Sequence, residues 1–143
     1  MTYAPTLRDT SPSPVRSARF LRTVLRVDGV STAVTGAVLV AAAGPLGTAT
    51  GMPVAFSVVF GVLQLCGAAV LLGIARRPVP RPPLVRGVVA VNGVSAVACA
   101  AVAFGGVLPL SGFGVVFMSA GALVVAVYAV LEWAGLRRAA AGR

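Results

Sequence analysis

The chain has 143 residues, of which 58% are hydrophobic and only 10% charged, a length that suits one domain on the scale of roughly 100–200 residues each. A soluble domain carries about 25% charged residues, so this one lacks the charge to coat a globule in water and belongs in a bilayer. All twelve cations are Arg, the acids are Asp9, Asp28 and Glu132, and His is absent. That composition excludes His-based metal sites, Ser-His-Asp triads, Schiff-base lysines and the Walker lysine.

Residues 1–19 mix Pro, Ser, Thr and Arg without an apolar stretch. They are expected to form a disordered cytoplasmic arm, not a signal peptide, because no short apolar core precedes a small-residue cleavage pattern. Four apolar runs follow, at about 20–43, 54–75, 87–108 and 113–135. Each is about 22 residues, or roughly 33 Å of helix, against a hydrocarbon core of about 30 Å. The expected fold is therefore all-α, a polytopic membrane protein with four transmembrane helices in one domain over 20–138, and a cytoplasmic tail at 139–143. The segment 44–53 is predicted as an outer loop and 107–114 as a second one. The linker 76–86, with Pro78, Pro80, Pro82 and Pro83, is predicted to be stiff and extended, since proline fixes φ and removes a donor.

Charge placement predicts orientation. Five Arg lie in the arm and first helix (8, 16, 19, 22, 26), four around the central linker (76, 77, 81, 86) and three in the tail (137, 138, 143), while the other two loops hold none. The positive-inside rule then places both termini and the linker in the cytoplasm of a bacterial cell (inner) membrane. The net charge of +9 is explained by this topology, and without a groove-lining patch or aromatic platform it does not imply nucleic acid. Cys66 and Cys99 lie inside apolar runs, where Cys behaves as a small hydrophobe.

A shift of 64 residues aligns Arg22, Val27-Asp28-Gly29-Val30-Ser31 and Pro45-Leu46 with Arg86, Val91-Asn92-Gly93-Val94-Ser95 and Pro109-Leu110. A shift of 61 then aligns Gly51, Phe56 and Arg76-Arg77 with Gly112, Phe117 and Arg137-Arg138. The pattern predicts two helical hairpins forming a parallel repeat, related by an axis along the membrane normal.

Polar residues within the spans are costly against lipid, so they should face inward. Asp28, Ser31, Thr32 and Thr35 form a stripe on the first helix, and Asn92, Ser95 and Cys99 repeat it on the third. The two stripes are expected to meet across the repeat axis. Glu132 falls near the same level on the fourth helix, on a face with Tyr128, Val125 and Gly121, and Gln64 stands alone in the second. The candidate intramembrane cluster is therefore Asp28, Ser31, Asn92, Ser95, Gln64 and Glu132. Two readings of its acids stand side by side: structural pairing with an arginine such as Arg22 or Arg86, or proton or substrate coupling. Gly29, Ala33 and Gly36 form a small-residue face for close helix packing, and Trp133 suits an interfacial anchor.

Leu25-Arg26-x-Asp28, Gly44-Pro45-Leu46, Ala75-Arg76-Arg77-Pro78, Asn92 and Leu131-Glu132-x-x-Gly135-Leu136-Arg137-Arg138 resemble an uncharacterised family of small four-helix integral membrane proteins of actinobacteria. The resemblance covers roughly 20–138 and implies a fold and a membrane location but no activity. Members often carry Gln where this chain has Glu132, which argues against a catalytic role for that carboxylate. The expected function is a non-enzymatic scaffold or accessory subunit, with the lipid bilayer, a second copy or another membrane protein as partner. The competing expectation is a small transporter or channel using the polar cluster around Asp28, Asn92 and Glu132. No nucleophile-base pair or metal set supports an enzyme, and no cofactor is expected. A water-filled cavity linking Asp28, Gln64 and Glu132 would favour transport, and a dry, tightly packed interior the scaffold.

Overall fold

A computed structural model describes residues 14–141. It contains helices α1 (Pro14–Ala41), α2 (Ala43–Thr50), α3 (Val54–Ala75), α4 (Pro82–Phe104) and α5 (Gly112–Ala141), with no strand among the described residues. The four long helices are each long and apolar enough to cross a membrane.

Only α3 has the boundaries its apolar run predicts, and local chemistry explains the departures. Helix α1 starts at Pro14, so residues 14–19 of the expected arm are helical; residues 1–13 lie outside the described residues. Helix α4 starts at Pro82, with proline in its first two positions. There the missing N–H would have had no intrahelical partner anyway, and the extended linker shrinks accordingly. The same helix stops at Phe104, before Gly105 and the left-handed Gly106 (φ 65°). Residues 44–50, expected as loop, belong to α2 instead. Pro45 lies in its first turn, where no N–H is needed, and left-handed Gly51 (φ 75°) closes it by donating to the Gly47 carbonyl. At the other end α5 carries the helix through residues 139–141 of the expected tail.

Helices α1 and α3 pair antiparallel at very short range. A Cβ on Gly36 would meet the Gly61 carbonyl at 2.8 Å, and one on Gly61 would meet the Gly36 carbonyl at the same distance. Further along, a Cβ on Gly29 would strike the Leu72 side chain at 2.9 Å. Small residues let the two backbones touch, as in close-packed membrane helices. Helices α4 and α5 form the second antiparallel pair. Gly87, Gly93 and Gly121 have open space where a Cβ would go, so this pair meets through side chains. The two hairpins join chiefly along α1 and α5, while α3 and α4 scarcely touch.

The loops opposite the Arg-bearing end lock together. The Ser111 N–H donates to the Thr50 carbonyl (2.8 Å) and Ser111 Oγ to the Ala49 carbonyl (2.7 Å). Gly51 presses on the Pro109 carbonyl and Gly114 on that of Thr50, so neither has room for a Cβ.

Inside the bundle two apolar clusters form layers. Leu21, Leu25, Leu71, Ile74, Ala75, Val85 and Leu136 pack near the Arg-bearing end; Leu39, Met52, Cys99, Ala103 and Met118 pack towards the locked loops. The polar residues of the spans lie between these layers.

Candidate functional site

Asp28 sits mid-way along α1 with its side chain 1% exposed. Its Oδ2 accepts from Asn92 Nδ2 (2.9 Å) and its Oδ1 from Thr32 Oγ1 (3.0 Å). The Asn92 amide also donates to Glu132 Oε2 (3.1 Å). One amide thus spends both hydrogens on two carboxyl groups, one from each hairpin. Asp28 and Asn92 are the residues that the 64-residue shift makes equivalent, so corresponding positions of the two halves meet directly.

Glu132 is fully buried, and its Oε1 has no hydrogen-bond partner. A carboxylate offers about four acceptor sites, and an unsatisfied buried acceptor costs roughly 1–3 kcal/mol, more when charged. Counted with both acids ionised, the cluster has more acceptor sites than donors. Among the described residues its donors are an amide and a hydroxyl, not an arginine. Arg22, an expected partner, donates through Nε to the Ala75 carbonyl (3.2 Å), and Arg138 stacks 5.3 Å from the Phe20 ring centroid; Arg86 is exposed. The layer of Leu21, Leu25, Val85 and Leu136 stands between the acids and the cationic end.

A cavity of about 270 Å³ opens from Asp28 along the hairpin interface. Its wall is mostly apolar, with Leu39, Phe60, Phe117, Met118 and Val124 among the lining residues, and it carries the polar side chains of Asp28, Ser31, Thr32, Thr35, Gln64 and Tyr128. Ser31 Oγ lies 3.1 Å from the Tyr128 hydroxyl, which ties the α1 stripe to α5. The structure so brings Asp28, Asn92 and Glu132 into contact, places Ser31 beside them and sets Gln64 on the same cavity. Glu132 lies behind Asp28 and does not line the cavity. Ser95, half-buried on α4, makes no side-chain hydrogen bond with the cluster among the described residues.

Phe60 and Phe117 were not predicted as part of the site. In a chain this apolar a cavity wall has no signal of its own, and only the alignment of Phe117 with Phe56 hinted that its position is not arbitrary. No group of three or more His, Cys, Asp or Glu side chains that could hold a metal occurs among the described residues. No family model, curated protein or solved structure matches the chain.

Proposed function

We propose that the protein is a small multi-pass transporter of the bacterial cell membrane, with both termini and the central linker in the cytoplasm. The observation that carries this reading is the pair of buried carboxyl groups sharing one amide beside a cavity that Asp28 and Gln64 line. Ionisable groups at membrane depth are expensive to bury and mark solute or proton pathways. A purely structural acid would be expected to sit on an arginine, and among the described residues these two do not. The outer surface supports insertion: Val91, Val94 and Val97 on α4 and Val116, Leu123, Val127 and Val130 on α5 are all exposed, as lipid-facing side chains would be. We place the repeat axis along the membrane normal, through the Asp28–Asn92 contact. No enzymatic step is assigned to the protein.

A scaffold or accessory subunit is the second reading. The weak contact between α3 and α4 favours it, since this leaves apolar helix faces on which a second copy or another membrane protein could pack.

Melting temperature in detergent, measured beside the growth of a strain that depends on the protein, separates the readings. Transport expects Asp28→Asn to melt like wild type yet fail to support growth, because the amide keeps the hydrogen-bonding shape and loses the charge. Full growth with Asp28→Asn overturns it. Thiol labelling of Thr48→Cys but not Pro80→Cys from outside intact cells, with Cys66 and Cys99 replaced, is the expected sign of the orientation. The reverse pattern contradicts it.

A further inference from the structure

We infer that the cavity beside Asp28 takes a small protonated amine with an apolar body. The inference rests on the transport reading and adds the class of solute to it.

Three features of the site point the same way. First, Asp28 on the cavity wall has no cationic partner among the described residues: its Oδ1 accepts from Thr32 and its Oδ2 from Asn92, whose amide hydrogens are both spent. An ammonium group supplies three donors and a charge together. Second, the cavity wall combines two chemistries. Asp28, Gln64 and Tyr128 put oxygen atoms on a wall that is otherwise mostly apolar, and Phe60 and Phe117 make part of it aromatic. Aromatic faces attract cations through the ring quadrupole and accommodate hydrocarbon equally well. Third, the volume of about 270 Å³ falls just below the range of about 300–1,000 Å³ usual for drug-sized ligands, so the occupant is small. An inorganic cation would leave the aromatic surface idle, and an anion would face two carboxyl groups.

An amine entering from the hairpin interface meets Asp28 first, because Asp28 lines the cavity and Glu132 lies behind it. Asp28 is the counter-charge that touches the ligand. Asn92 is a positioning residue that holds Asp28 and Glu132 together.

The test is equilibrium dialysis of detergent-purified full-length protein against 2-phenylethylammonium, with 2-phenylethanol as a neutral probe of nearly the same shape. The ammonium should bind at least about tenfold more tightly than the alcohol, the ratio expected for a charge-assisted hydrogen bond. Asp28→Asn should erase that preference, and Phe117→Leu should weaken the ammonium more than the alcohol. Equal binding of the two probes by wild type, or no binding of either, overturns the proposal whatever the variants do. If the ammonium fails to bind while Asp28→Asn still loses growth, the solute class is wrong and the transport reading stands. If the ammonium binds as expected while Asp28→Asn supports growth, the amine site stands and transport as its purpose falls.

Discussion

The hairpin formed by α1, α2 and α3 and the one formed by α4 and α5 carry matching sequence marks, yet they are built by different physics. In the first, Gly36 and Gly61 bring two backbones into contact, and the apolar windows of α1 and α3 are 33% and 28% buried. In the second no glycine is crowded by its partner helix, and the corresponding windows are 11% buried each. The turns opposite the Arg-bearing end differ as well: Pro45-Leu46 lies in a short helix, whereas Pro109-Leu110 lies outside any helix. Two hairpins with matching polar positions can therefore differ in how they pack. One half is a close-packed pair, and the other is held to it by the Asp28–Asn92–Glu132 contact, the α1–α5 seam and the locked loops.

This difference can be broken at its strongest point. Asn92→Leu removes the one group that binds both carboxyls. With hydrogen bonds to charged groups worth about 1.5–3 kcal/mol each, it should cost roughly 3–5 kcal/mol of unfolding free energy. Denaturation in detergent reads this, and a loss under about 1 kcal/mol would show that the cluster does not hold the hairpins together.

The two left-handed glycines sharpen the comparison at the turns opposite the Arg-bearing end. Gly51→Ala meets both an unfavourable φ and the Pro109 carbonyl, for roughly 2–4 kcal/mol. Gly106→Ala meets only the φ, in open space, for about 1–2 kcal/mol. Melting curves of the two variants should separate in that order, and equal losses would argue against the docking of the loops.

The smallest effect is the most discriminating. Gly29 and Gly93 are repeat equivalents, but only Gly29 is crowded, by Leu71 and Leu72. Gly29→Ala should cost about 1–2 kcal/mol through overpacking. Gly93→Ala should gain about 0.5–1 kcal/mol from helix propensity. Opposite signs are expected; like signs would mean that the hairpins are packed alike after all.

Much of this was legible in the sequence, and the reasons are particular. The bounds of α3 are given by an unbroken apolar run between Pro53 and Arg76. Helix α2 was missed because Gly44, Pro45, Gly47 and Gly51 look like loop residues, although proline and glycine also suit the first turn and the cap of a helix. The encounter of Asp28 with Asn92 followed from the repeat offset, because equivalent positions near an axis must approach one another. Glu132 followed from its depth. Its partner did not: the arginines looked close in sequence, but a full apolar layer separates them from the acids. The cavity walls and the unequal seams depend on how Val, Ala and Phe side chains interlock, and a composition so uniform conceals that.

The central claim is that one amide from the second hairpin holds the carboxyl groups of both. Asn92 is the only Asn in the chain and Glu132 the only Glu, so labelling the Asn side-chain amide with ¹⁵N and the Glu side-chain carboxyl with ¹³C marks a single pair of sites. Solid-state NMR dipolar recoupling in lipid bilayers then reads the distance between the Asn92 side-chain nitrogen and the Glu132 carboxyl carbon. Strong dephasing, at the separation a direct hydrogen bond imposes, is the expected result; no measurable coupling between the two sites would contradict the account.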